Sequence, residues 1–257
     1  MFMQVAHAAE EGIAIHLAPP VLGHIFGVPL TSTMLMAWLT MVLLVAGSVV
    51  LQGRLSLVPG KVQIVAESLI GYVFDYISGV LESKKLAKRF FPVIMTIFIF
   101  ILSINWIGLI PGITGFGIER LILGEKSLIP FFYPAHTDLN MTIALALIAF
   151  VFIEISGVIA IGLWKYMGKF INFSSPIKFL IGIIELFSEL ARLISFSFRL
   201  FGNIFAGKTL LLITMFFVPF VLPVPVLAFE IFVGFIQAFI FAILTLFFIK
   251  LAIQEPH

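Results

Sequence analysis

From Leu30 to Leu51, and again from Phe91 to Ile110, the chain carries no charged side chain. Each run has about the twenty residues that a helix rising 1.5 Å per residue needs to cross a bilayer. Inside lipid every backbone N–H and C=O has to be satisfied within the protein, which restricts spanning segments to α-helices or closed barrels. A barrel would show ten-residue alternation, whereas the 30 Phe of this chain sit in long apolar runs. With 61% of residues hydrophobic, 11% charged and a mean hydropathy of +1.21, the chain is more apolar than a soluble core of 257 residues requires. The expected class is an all-α polytopic membrane protein with about five membrane segments and one interfacial amphipathic helix. A formal charge of +2 offers no basic surface for nucleic acid, and the absence of Cys removes disulfides, thiolate metal sites and thiol chemistry.

The expected organisation is a polar outer tail over 1–29 followed by a single membrane domain over 30–257. MFMQVAHAAEEG lacks a basic stretch before an apolar core, so it is read as part of the mature chain rather than as a cleaved signal. His7, His16 and His24 are too irregularly spaced to share a helix face, and no acidic or thiol ligand converges on them, so no metal is expected. In the segment 62–83, Gln63, Glu67, Gly71, Asp75, Ser78 and Glu82 recur at steps of three and four, the pattern of an amphipathic helix lying at the membrane surface. It runs into the basic cluster Lys84, Lys85, Lys88 and Arg89, which could bind anionic lipid or simply fix topology. The spans are expected over 30–51, 91–110 and 139–163, with 177–217 and 226–250 as a long, strongly tilted hairpin turned by Pro219, Pro223 and Pro225. Asn105, within the second span, reads as a helix-to-helix hydrogen bond. The mixed stretch 114–134 reads as an external loop, and Thr137 or Asp138 as the cap of the next helix. With five crossings and the N-terminus outside, Arg54, Lys61, the Lys84 to Arg89 cluster, Lys165, Lys169, Lys178 and Lys250 fall inside, against Arg120 and Lys126 outside. That bias puts the C-terminus in the cytoplasm or its organellar equivalent.

Charged groups in the apolar segments are the candidate functional residues, because an ionisable side chain at bilayer depth is costly and is by default paired or functional. Glu154 lies deep in the third span and is a candidate for lining a polar path. Glu185, Glu189, Arg192, Arg199 and Asn203 are spaced by four, three, seven and four residues, forming one polar stripe on an otherwise apolar helix. Glu189 or Glu185 can answer Arg192 within that helix. The residues three and four positions from Arg199 are Ser195, Phe196, Gly202 and Asn203, so its own helix supplies it with no carboxylate. A guanidinium stays charged and cannot relay protons, so its useful role is to attract a carboxylate and hold it ionised. Lys208 points to the opposite face and has Glu230, beyond the proline turn, as its obvious partner. That pair reads either as a hairpin salt bridge or as part of a polar path for ions. Gln237 is seven residues beyond Glu230 on the same face and is expected to come level with Arg199.

RLFGNIFAGK, the upstream ELFSELARLISFSFR, the Glu230 and Gln237 pair in FEIFVGFIQAFIF, the NWIGLIPG end of the second span and the TDLNMT start of the third resemble subunit a of F-type ATP synthases. The similarity runs from about the second span to the C-terminus. It implies that Arg199 is the essential stator arginine, with Asn203 and Gln237 beside it and Glu185 near an inner half-channel. Lys208 and Glu230 fall where family members carry varied polar pairs at an outer half-channel, and a Lys there departs from the commoner acid or His. The implied partners are the proteolipid c-ring, the peripheral-stalk b subunits and the rest of the synthase, in an energy-transducing membrane such as the bacterial inner membrane. No cofactor is implied, and with no GxxxxGK[ST] loop the chain is expected to make no ATP itself. A stand-alone transporter or channel, with Arg199 as an anion site, is the alternative; the absence of an internal repeat argues against it.

Overall fold

The computed structural model describes residues 18–53, 55–56, 59–122, 125–170, 175–219 and 221–254. His7, His16, the acidic pair Glu10 and Glu11, and Arg54 lie outside the described residues. The elements run in the order β1 (Val21–Ile25), β2 (Val28–Thr31), α1 (Ser32–Gly53), α2 (Lys61–Leu81), α3 (Lys84–Gly108), β3 (Gly117–Ile122), β4 (Glu125–Pro130), α4 (Leu139–Ile161), α5 (Leu163–Phe170), α6 (Pro176–Phe217) and α7 (Pro223–Ile253). Short 3₁₀ turns occupy Ile113–Gly115 and Ala135–Thr137. The protein is a helical, multi-pass membrane protein. Among the described residues five helices are long and apolar enough to cross a membrane: α1, the Gln63–Leu81 part of α2, α3, α4 and α7. The charges of α6 set it apart from these, and it is a single helix of 42 residues. Both α6 and α7 begin on a proline, at the position where a missing N–H costs a helix nothing.

The chain forms two compact units, and α1, α3, α4, α6 and α7 each contribute residues to both. One unit comprises residues up to Met41, Ile101–Thr142 and Phe198–Gln237. It holds two antiparallel hairpins that the apolar periodicity of the sequence does not announce. β1 and β2 turn on Phe26 and Gly27, both at positive φ, as a two-residue hairpin with right-handed strand twist requires. β3 pairs with β4 from Gly117 opposite Pro130 to Ile122 opposite Glu125, within the stretch read from sequence as a loop. Gly117 is obligatory there, since a Cβ would overlap the Ile129 carbonyl. Side-chain hydroxyls tie the start of α1 to the segments around it: Ser32 Oγ donates to the Pro130 carbonyl, and Thr33 Oγ1 donates to Asp138 Oδ2 at 3.0 Å. Asp138 also caps α4, its Oδ1 accepting from the Asn140 N–H at 2.9 Å.

The other unit comprises Val42–Phe100, Ile143–Ser197 and Ala238 to the C-terminus. Its core joins α2 through Ile77 and Leu81, α3 through Ala87, Phe90 and Ile94, α4 through Ile153, α5 through Tyr166, and α7 through Ala242, Leu246, Ile249 and Ala252. The basic cluster opens α3 rather than closing α2. Glu82 stops α2 in a left-handed conformation, its N–H bonding the Gly79 carbonyl, and Ser83 Oγ accepts the Leu86 N–H at 3.3 Å to start the next helix. Lys250 Nζ donates to Glu82 Oε1 at 2.7 Å, which holds this exposed carboxyl below its ordinary range.

Candidate functional site

The polar residues of α6 fall into both units, and each unit builds its own cluster. In the unit containing Phe198–Gln237, α6 carries Arg199, Asn203, Gly207 and Lys208, and α7 carries Glu230, Gly234 and Gln237. Glycines set how closely the helices approach. The Glu230 carboxylate occupies the space that a Cβ on Gly207 would take, so α6 and α7 meet there backbone to side chain. One turn further along α7, Gly234 leaves room for Asn105 of α3, whose Nδ2 donates to the Gly234 carbonyl at 3.0 Å. The adjacent Trp106 Nε1 donates to the Ile231 carbonyl at 3.1 Å. Asn105 is therefore the interhelical bond that its isolation in an apolar span suggests, and it has a second partner: its Oδ1 lies 2.6 Å from His136 Nδ1.

Asn105, His136, Gly207, Lys208 and Glu230 are among the residues that line a cavity of about 180 Å³. Glu230 and Gln237 are buried, Arg199, Asn203 and Lys208 half-buried, and His136 is only 1% exposed. Arg199 has an interaction within the chain. The expected ion pair between Lys208 and Glu230 does not form. Lys208 Nζ has no hydrogen-bond partner and stands 3.1 Å from the centroid of the Tyr133 ring instead. Burial pushes the Tyr133 phenol up, and it pushes the His136 imidazole down to about 3, so His136 is neutral near pH 7. His136 and Tyr133 are absent from the sequence-derived site. Only the PAHTDLNMT segment pointed to the region, and there the cap was the visible feature.

The second unit gathers Glu154, Glu185, Glu189 and Arg192 with two residues of α5. Gly162, at φ 90°, ends α4 and lets α5 fold back, and Gly157 leaves the space that the Tyr166 ring fills. Tyr166 Oη then donates to Glu154 Oε2 at 2.9 Å, while Glu154 Oε1 is buried without a partner. Burial and the bond to Glu154 push the Tyr166 phenol up, so it stays a donor. Lys169 Nζ bridges Glu185 at 2.8 Å and Glu189 at 3.2 Å. Arg192 bonds Glu189 at 2.6 Å, lies 3.8 Å from Glu185, and rests its guanidinium 4.5 Å from the centroid of the Phe248 ring. The carboxylate of Glu189 is buried, with 4% of its side chain exposed, and needs both cations. The sequence pairs Arg192 with its own helix, as found, but reads Lys169 only as an interface marker. Among the described residues no group of three or more His, Asp or Glu could hold a metal ion.

The chain is similar to known proteins over most of its length. Residues 34–250 match the model of the ATP synthase A chain family. The chain is 31% identical to the ATP synthase subunit a of Moorella thermoacetica, over 91% of this chain and 96% of that protein. It is 34% identical to the subunit of Geotalea daltonii, over 86% of each chain, and 35% identical to "ATP synthase subunit a 1" of Syntrophotalea carbinolica, over 86% and 85%. Matches of this extent, over helices that carry both polar clusters, make the chain a member of the ATP synthase A chain family.

Proposed function

We propose that the chain is the proton-conducting stator of a rotary F-type ATP synthase. One observation carries this reading: a family-matched helix, α6, contributes to two separate polar clusters, one before and one after Ser197. Two half-channels that do not meet need two such clusters. The cavity with Lys208 and Glu230 serves as the outer half-channel, and the cluster with Glu154, Glu185, Glu189 and Arg192 as the inner one. Arg199, with Asn203 and Gln237, stands at the ring-facing surface of the hairpin. It is also the group that keeps protons from passing directly between the channels.

Charge energetics give the mechanism. A c-ring of proteolipids, each with one carboxylate at mid-membrane depth, turns past the tilted α6–α7 hairpin. A carboxylate enters lipid cheaply only when protonated, at a saving of several kcal/mol. Arg199 favours the ionised form of an arriving acid, so its proton leaves by one half-channel, and the carboxylate takes another from the opposite side before moving on. Each charge carried through 100 mV releases about 2.3 kcal/mol, so several protons drive the formation of each ATP elsewhere in the complex. The chain itself is not an enzyme in this reading. Its neighbours are the c-ring, the peripheral-stalk b subunits and membrane lipid. It resides in a bacterial inner membrane, with the polar tail over 1–29 outside and the C-terminus in the cytoplasm. Reconstituting the complete synthase with Arg199→Ala is the test: coupled ATP synthesis is lost while the ring still assembles. Normal proton-driven synthesis in that variant overturns the stator role.

A further inference from the structure

The Asn105 amide has only one productive orientation. Its Nδ2 faces the Gly234 carbonyl, which can only accept, so its Oδ1 faces His136 and His136 Nδ1 must carry the hydrogen. In a neutral imidazole the other nitrogen, Nε2, is then a lone-pair acceptor. That atom is buried and no group of the chain bonds to it. His136 lines the same cavity as Lys208, whose ammonium is likewise buried without a hydrogen-bond partner. One wall thus offers an orphaned acceptor and another an orphaned donor, with the Glu230 carboxylate on the same boundary. Leaving either orphan unsatisfied is costly, and at about 30 Å³ per water the cavity holds several.

We infer that His136 is a positioning residue of the proton path, its Nε2 accepting a hydrogen bond from a cavity water and so orienting the water chain that delivers protons to Glu230. Asn105 fixes the tautomer that makes this possible. Protons pass along the water chain, each water accepting one and donating one. The imidazole keeps its Nδ1 hydrogen throughout, and no bond to its ring nitrogens is made or broken. Tyr133, Lys208 and Glu230 are the other titratable groups on the site, and none bonds the ring. The inference rests on the reading of the chain as a proton path.

Two variants and one spectrum test it, with the whole synthase assembled. His136→Leu keeps an apolar volume and removes the acceptor; His136→Gln keeps an acceptor. Passive proton conduction through the membrane sector is expected to fall about tenfold or more in His136→Leu and to stay within about threefold of wild type in His136→Gln, the size of one lost or kept hydrogen bond. In the wild-type complex with ¹⁵N-labelled histidine, the His136 signal is expected to show a protonated Nδ1 and a bare Nε2 at neutral pH. Conduction by assembled His136→Leu within twofold of wild type, or a His136 protonated on Nε2, overturns the inference while the proton-path reading stands. Absence of proton conduction by the wild-type membrane sector overturns both. Should His136→Leu fail to assemble, the tautomer and the His136→Gln flux decide.

Discussion

Gly207→Ala separates what the α6–α7 contact does for stability from what it does for ion flow. The three atoms nearest a Cβ at this position all belong to the Glu230 carboxylate, so the collision is relieved by swinging the far end of one flexible side chain. Overpacking in a core costs about 1–3 kcal/mol, and alanine gains about 1 kcal/mol over glycine in a helix interior. The net change in stability is therefore expected to be about 0–2 kcal/mol, and the complex assembles. The displaced carboxylate is another matter, because a misplacement of about 1 Å at a reacting group can cost about a hundredfold in rate. Passive proton conduction by the membrane sector of Gly207→Ala is expected to drop about tenfold to a hundredfold. Shortening the colliding side chain restores room, so Gly207→Ala combined with Glu230→Asp should conduct better than Gly207→Ala alone. Wild-type conduction in the assembled single variant, or no recovery in the double, refutes the assignment of Glu230 to the path through this contact.

Three further outcomes follow from the geometry. Gly157→Ala drives a Cβ into the Tyr166 ring and close to the Ala252 carbonyl, a backbone atom that cannot swing aside, so the thermal midpoint in detergent should fall by an amount equivalent to about 1–3 kcal/mol. Lys169→Met leaves Glu189 with Arg192 alone and Glu185 with a contact of 3.8 Å, and a loss of about 1–3 kcal/mol is expected by the same measurement, the two carboxylates being partly to wholly buried. His136 has its pKa lowered to about 3 by burial, below the ordinary 6.5, so the unfolded chain binds the extra proton between those values. Its stabilising contribution is complete above about pH 6.5 and is lost on acidification, with a slope of up to about 1.4 kcal/mol per pH unit. Thermal unfolding across pH 4 to 7 should show that slope in wild type and lose it in His136→Gln.

The helical membrane class is legible in the sequence because uncharged runs such as Leu30 to Leu51 leave the backbone no alternative in lipid. The hairpins are not. β1 and β2 turn on Phe26–Gly27, where a bulky residue takes the left-handed conformation usually left to Asn, Asp or Gly. The sequence also reveals which charges interrupt apolar helices, but not their pairing across elements. Beyond a proline turn, helical spacing does not specify register, so Lys208 and Glu230 read as partners. In the structure Glu230 lies over Gly207, one residue earlier, and the ammonium meets Tyr133. His136 escaped the sequence reading for a similar reason: its tautomer depends on Asn105, 31 residues away, and Asn105 in turn depends on Gly234. Lys169 reads as an interface residue because the fold-back at Gly162 that brings it to Glu185 leaves no periodic signal.

In the proposed function Arg199 couples proton flow to ring rotation. The most direct measurement is ATP synthesis driven by an imposed proton gradient in liposomes holding the complete synthase, wild type against Arg199→Ala, with c-ring copurification and passive proton flux recorded on the same preparations. In the variant, synthesis is expected to be absent, the ring intact and passive flux at or above the wild-type level. Synthesis at the wild-type rate by an assembled Arg199→Ala complex contradicts the coupling role of Arg199.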